Sequence, residues 1–292
     1  MVTAVLNLDT AVVFLTPVLV FAARRRRVGV EPFLYGCVFM ANASSLFLPG
    51  SNLTNLLVLD AHGGGSGASF AAKMFPIAIT AAVVTAIGIA VIFRQALAAQ
   101  VRLSGGGGPH PEVVLGPGLL ATVAGIVLVL VLRQPALAVL GVGLLATAVE
   151  MLRSRVTLAD VRRVVGPLSL AAAFVLTVAL GTLARHWDGP AELIGGASGP
   201  ETAGLAALST VLVNNLPAAA LYSAHAVDHS RMLLLGLNVG PNLAVSGALS
   251  ALLWFRAARE VDARPSLVEF SRRGVPLALI AMAAAVLVGT VT

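Results

Sequence analysis

The chain has 292 residues, of which 58% are hydrophobic and only 11% charged, with a formal net charge of +6 and a mean hydropathy of +0.94. Soluble domains carry roughly 25% charged residues, so this composition excludes a soluble globular fold and points to many apolar runs of lipid length. A single cysteine, Cys37, excludes a disulfide framework and a multi-thiolate metal site, because either needs a second sulfur in the chain.

Arginines frame the elements. They gather at Arg24 to Arg27, at Arg94 with Arg102, at Arg153, Arg155, Arg162 and Arg163, and at Arg256, Arg259, Arg264, Arg272 and Arg273. Positive charge marks cytoplasmic loops, so an even number of crossings is expected between consecutive clusters. The clusters lack interleaved aromatics and flank apolar spans, which makes them topology determinants and argues against a nucleic-acid partner.

In chain order, residues 10–23 offer about fourteen apolar positions before Arg24, short of the roughly 20 a crossing needs, and are expected to form one arm of a re-entrant hairpin. Residues 31–60 are too long for one straight helix and are broken at Leu48-Pro49-Gly50-Ser51-Asn52. A Gly-rich loop from His62 to Gly67 follows, then a span over about 70–93, so that residues 1–93 read as the later part of a first repeat. Residues 94–112, with Gly105 to Gly108 and Pro109, read as a flexible cytoplasmic linker.

The remainder, residues 113–292, reads as a second repeat. Residues 113–132 and 136–151 make two crossings around a turn at Arg133-Gln134-Pro135, and 164–184 cross outward to a loop carrying Arg185, His186, Trp187, Asp188 and Glu192. Residues 201–227, interrupted by Asn214-Asn215-Leu216-Pro217, are expected as a hairpin dipping in from the outer face. Residues 231–255 repeat the broken-helix design with Asn238-Val239-Gly240-Pro241-Asn242 and Ser246-Gly247, ahead of a final helix. A shift of 196 positions lays Asn42 on Asn238, Leu53 on Leu249 and Thr54 on Ser250. The expected fold is all-α: a multi-pass protein of the cytoplasmic membrane with inverted repeats, discontinuous helices and re-entrant hairpins, the lipid bilayer being its first partner.

Backbone groups freed by a break in hydrocarbon cost several kcal/mol each unless protein, water or ligand satisfies them. Breaks are therefore kept for binding, and hairpin tips meeting unwound helices at mid-membrane make a polar cage. The residues expected there are Asn7, Asp9, Thr10, Ser44, Ser45, Ser51, Asn52, Thr54 and Asn55 in the first half, and Ser209, Thr210, Asn214, Asn215, Asn238, Gly240, Asn242, Ser246 and Ser250 in the second.

Four motifs carry a resemblance: Leu6-Asn7-Leu8-Asp9-Thr10 with Leu15-Thr16-Pro17; Pro49-Gly50-Ser51-Asn52-Leu53-Thr54-Asn55; Val213-Asn214-Asn215-Leu216-Pro217; and Asn238-Val239-Gly240-Pro241. Over nearly the whole chain these resemble the arsenical-pump membrane permeases, of the superfamily that also holds divalent-anion/sodium symporters and some sodium/proton antiporters. The resemblance implies export of arsenite or antimonite through a site between two inverted repeats, coupled to protons or sodium or to a cytoplasmic ATPase subunit, with a second copy of the chain as a further candidate partner. It also implies an N-terminal truncation, since the chain starts at the first hairpin's tip. A sodium-coupled dicarboxylate or citrate permease stays open as an alternative, although those carry Ser-Asn-Thr where this chain has Ser51-Asn52-Leu53 and Val213-Asn214-Asn215. An inactive structural fragment is the non-transport alternative. No cofactor is implied, and the absence of H-E-x-x-H, G-x-S-x-G and paired intramembrane carboxylates argues against an enzyme.

Among single residues, Asp9 is the only carboxylate at a cage position and is expected to carry the coupling proton or cation, because a trihydroxide cargo is uncharged. Asn214 and Asn215 are expected to contact cargo or coupling ion. Cys37 reads as a packed apolar residue, and His225, Asp228 and His229 as solvated loop residues despite their metal-like spacing. Gly236 and Gly240 form a GxxxG, a helix-packing signal.

Overall fold

Prolines and short hydroxyl side chains punctuate this apolar chain, and the helices of the computed structural model begin where those residues stand. The structure describes residues 3, 7–61, 63–103, 117–132, 136–165, 167–224 and 227–292. Ser66 accepts a hydrogen bond from the Ser69 N–H and Ser266 from the Glu269 N–H, at 3.1 and 3.4 Å. The Ser198 N–H and hydroxyl both donate to Glu201 Oε2, at 2.7 and 2.8 Å. Such contacts pair groups at a helix start that the intrahelical pattern leaves open.

In chain order the helices are α1 (Leu8–Arg25), α2 (Glu31–Ser44), α3 (Leu53–Ala61), α4 (Gly67–Ile92), α5 (Arg94–Leu103), α6 (Pro117–Val131), α7 (Ala136–Leu152), α8 (Leu158–Val165), α9 (Pro167–Ala184), α10 (Gly189–Gly195), α11 (Gly199–Val213), α12 (Asn215–Tyr222), α13 (Ser230–Val239), α14 (Leu249–Glu260) and α15 (Leu267–Gly289). Single 3-10 turns stand at Pro49–Ser51, Gly240–Asn242 and Val245–Gly247. No strand occurs among the described residues, so the fold is all-α. Among the described residues two helices, α4 with 26 residues and α15 with 23, are long and apolar enough to cross a membrane. Part of the expected linker, residues 94–103, is the helix α5, and part of the expected outer loop is α10. The Gly105–Pro109 segment, the Arg133-Gln134-Pro135 turn, His62 and His225 lie outside the described residues.

Helices α4 and α15 pack antiparallel, with Gly88 against Leu277 and Ile77 against Gly289. At the end where α4 stops and α15 starts, Arg273 bonds Glu31 at 2.9 Å and Glu269 at 3.0 Å, and its guanidinium lies 4.7 Å from the ring centroids of both Tyr35 and Phe93. Trp254 Nε1 donates to the Leu34 carbonyl at 2.9 Å, and Arg24 to the Asp262 carbonyl at 3.1 Å. The first, second and last arginine clusters therefore meet at one end of the molecule. Helix α2 starts at this end, while α13 starts at the other, where Met232 packs on Gly289.

The packing is reciprocal: α1 lies on α14 and α12 on α3, while α2 lies on α4 and α13 on α15. Two apolar clusters fill the body. One, at the arginine end, is built on Trp254, Phe39 and Phe270, all fully buried, with ring centroids 5.0 and 5.7 Å apart for Phe39–Phe270 and Trp254–Phe270. Tilted aromatic packing of this kind adds to what burial alone contributes. The other joins Met74 and Ile77 of α4 to Leu233, Leu235 and Leu237 of α13. Helix α13 also presses on α11, where Gly236 meets the Ala203 carbonyl, and a Cβ on Gly240 would stand 2.6 Å from Ala207 Cα. The GxxxG pair is thus a backbone-approach motif.

Candidate functional site

The chain leaves helical hydrogen bonding twice by the same backbone path. Leu48 (φ −133°, ψ 151°) and Asn52 (φ −151°, ψ 139°) flank the Pro49–Ser51 turn, and Ala244 (φ −151°, ψ 153°) and Ala248 (φ −152°, ψ 153°) flank the Val245–Gly247 turn. Residues 48–52 and 244–248 thus follow one path 196 positions apart, the same shift that lays Asn42 on Asn238. Residues Gly240–Asn242 tighten the end of α13 into a 3-10 turn. Pro241 has no N–H to return to the Leu237 carbonyl, so the α-helical pattern stops just before it.

Asn238 is the hub between the two breaks. Its Oδ1 accepts from the Ser45 hydroxyl at 2.5 Å and the Asn52 amide at 2.8 Å, and its Nδ2 donates to Asn55 Oδ1 and the Leu234 carbonyl, both at 2.8 Å. Asn55 in turn donates to the carbonyls of Ser45 and Leu48, at 2.7 and 3.0 Å. Those carbonyls belong to the unwound stretch after α2, so a side chain replaces the missing backbone partner. A second branch runs from Asn42, which donates to Asn242 Oδ1 at 2.7 Å and accepts from the Ser250 hydroxyl at 3.4 Å, while Asn242 donates to the Phe39 carbonyl at 3.3 Å. Asn42, Ser45, Asn55, Asn238, Asn242 and Ser250 are all 0% exposed. Asn238 uses both amide hydrogens and both acceptor directions on protein. Its chemical role is to lock two unwound helices together.

Asn7 and Asn214 stand at the heads of α1 and α12 with torsions of 79° and 150°, and of 76° and 154°. That left-handed extended region is essentially reserved for glycine, and a side chain held there stores strain. Each Oδ1 accepts from the N–H two residues on, Asp9 at 2.9 Å and Leu216 at 3.4 Å. Asn214 Nδ2 also donates to the Ser246 carbonyl at 3.1 Å, and the Ser246 hydroxyl to the Val211 carbonyl at 2.9 Å, tying the α11–α12 turn to the second break. Because the strain comes from the Cβ, Asn214→Ala is expected to unfold more easily than Asn214→Gly by about 1–3 kcal/mol, read as the order of their melting temperatures in detergent. A lower melting temperature for the glycine variant would contradict the strain argument.

The remaining residues fall around these two features. Asp9 is half-buried and Thr10 exposed on the first turn of α1. Ser51 and Thr54 are fully buried beside Asn52, the Thr54 hydroxyl having no hydrogen-bond partner among the described residues. Asn215 is buried at the head of α12, and Ser44 at the end of α2. Ser209 pairs with the Tyr222 hydroxyl at 2.6 Å across the α11–α12 turn-back, and Thr210 bonds the Ala207 carbonyl at 2.7 Å. Cys37 is buried, 3.7 Å from the Thr16 hydroxyl. Among the described residues no group of three His, Cys, Asp or Glu could hold a metal ion. Asn42 is the network member absent from the sequence-derived set, and its signal was the alignment with Asn238.

Compared with known proteins, residues 1–245 match the model of a family described as citrate transporter. No curated protein matches the chain.

Proposed function

The chain belongs to the citrate transporter family, and we propose on that premise that this integral membrane protein is a secondary active transporter with two halves built alike and set in opposite senses. On this reading it is a multi-pass protein of the cytoplasmic membrane, arginine end inward, with a polar solute held between the re-entrant tips headed by Asn7 and Asn214. The observation that carries the reading is the pair of breaks with one backbone path, joined through Asn238. In an inverted repeat each element of one half meets the counterpart of its neighbour in the other, which accounts for α1 on α14 beside α12 on α3. It also accounts for α2 and α13 starting at opposite ends.

Citrate, the solute the family is described by, is the first cargo to test. Helix starts at the two tips offer N–H groups and a partial positive charge to its carboxylates. Arsenite or antimonite is the second reading, favoured by one observation: the tips headed by Asn7 and Asn214 carry amides and hydroxyls in Asn7, Thr10, Asn214, Asn215 and the neighbouring Ser246, with no Lys, Arg or His among them. Such a lining suits an uncharged trihydroxide. Uptake of citrate and of arsenite into vesicles holding the full chain, each with a sodium or a proton gradient, separates the two. Rates no greater than those of protein-free vesicles for both solutes under every gradient would sink the transporter reading.

Asp9, half-buried at the α1 tip, is the proposed carrier of the coupling ion. Asp9→Asn is expected to abolish accumulation against a gradient and to leave solute exchange intact. Unchanged accumulation would remove Asp9 from the coupling.

A further inference from the structure

Helix α14 and the start of α15 enclose a groove of about 570 Å3 that takes no part in the amide network. Its wall is apolar, formed by Val245 at the second break with Leu252, Phe255 and Leu267. Its mouth, at the arginine end, is formed by Arg256, Arg259 and Glu260. From Leu252 to Arg259 the helix rises roughly 10 Å, so one end of the groove is oily and the other cationic. Leu252 and Leu267 are 53% and 61% exposed. In a membrane protein those side chains face lipid, and the groove opens sideways to acyl chains.

The charge at the mouth is lopsided. Arg256 makes a long, exposed contact of 3.4 Å with Glu260, and Arg259 has no ion pair among the described residues. The Arg24–Asp262 hydrogen bond of 3.1 Å brings the arginine run of α1 alongside. Residues 24–27 and 256–264 together carry seven arginines against Glu260 and Asp262. A small hydrophilic solute gains nothing from the apolar wall, whereas an amphiphile with an anionic head matches both ends. Basic segments at the cytoplasmic face attract anionic lipid, and the positive-inside rule puts this end at that leaflet.

We infer that the groove holds an anionic phospholipid of the cytoplasmic leaflet. Its phosphate sits between Arg256 and Arg259, and one acyl chain lies along Leu252, Phe255 and Val245. The phosphate meets Arg259, which has no ion pair among the described residues, and the chain covers apolar surface that the protein leaves open.

Native mass spectrometry of the full chain, titrated in detergent with phosphatidylglycerol or phosphatidylcholine, tests this. Phosphatidylglycerol is expected to be retained and to raise the melting temperature, and phosphatidylcholine to be lost. Arg256→Gln/Arg259→Gln is expected to weaken retention roughly thirtyfold, at about a factor of five for each charge. Leu252→Trp, which keeps the arginines and fills the groove, should lower retention as well, without lowering the melting temperature of the lipid-free protein. Equal retention of the two lipids, wild-type retention by the double variant, or displacement of the lipid by inorganic phosphate alone would each overturn the inference.

Discussion

Asn238→Ala is expected to be the most damaging truncation of a polar side chain in the buried network. It leaves the Ser45 hydroxyl, the Asn52 amide and Asn55 Oδ1 without their shared partner, in a region where Asn238 itself is 0% exposed. An unpaired buried polar group costs roughly 1–3 kcal/mol. Interhelical hydrogen bonds in membrane proteins measure lower, about 0.6 to 2 kcal/mol, because the unfolded chain in lipid also finds partners. The Ser45 hydroxyl can turn to the Asn42 carbonyl at 2.7 Å, so two groups are orphaned and the net loss is expected to be about 2 kcal/mol, with solute transport lost because the two breaks are no longer locked together. Thermal unfolding in detergent and vesicle uptake check the two parts separately. In a double-mutant cycle, Asn238→Ala with Asn55→Ala should cost less than the sum of the single changes, since the two share one hydrogen bond. Strict additivity would show that Asn238 is not the hub.

Gly274→Ala should be comparable, for a steric reason. Gly274 lies on α15 against the Asn242 carbonyl, so that an added Cβ would overlap that oxygen and stand 3.1 Å from Phe39 Cε1. A flexible side chain could swing away, but this carbonyl belongs to the 3-10 turn Gly240–Asn242 and cannot. The helix has to move off the turn, which pulls on the 2.7 Å bond between Asn42 and Asn242. Overpacking costs roughly 1–3 kcal/mol and more where backbone must shift, so about 3 kcal/mol is expected for alanine and loss of folding for valine. Gly181→Ala on α9 is the control: a Cβ there meets open space, and replacing a helix-interior glycine should be neutral or stabilise by up to about 1 kcal/mol. Similar melting temperatures for the two variants would show that Gly274 is not a close-approach site.

The sequence by itself determined the all-α class, the apolar runs and the places where helices break. These are local properties: Pro49 and Pro241 withhold an N–H, Ser66, Ser198 and Ser266 cap helix starts, and Asn214 sits between two apolar arms. The shift of 196 positions also placed Leu53 on Leu249, the first residues of α3 and α14. The same shift carries residues 48–52 onto 244–248, the second break, which the sequence marks only by Ser246-Gly247, while Asn238 to Asn242 carries the more conspicuous asparagines and proline.

Which polar side chains meet was decided only by tertiary structure. Asn42 and Asn242 are 200 positions apart and Asn52 and Asn238 are 186 apart; nothing local to either residue selects its partner. The sequence-derived set treats every amide near a break as an equal candidate for binding. Packing separates them, with Asn238 and Asn55 spent on holding the breaks closed and Asn7 and Asn214 strained at helix heads. Gly274, an ordinary glycine in an apolar helix, becomes a constraint only because α15 crosses the turn at Asn242. Helix formation follows from neighbours in the chain, whereas hydrogen-bond partners and close approaches follow from which surfaces the folded chain has to bury together.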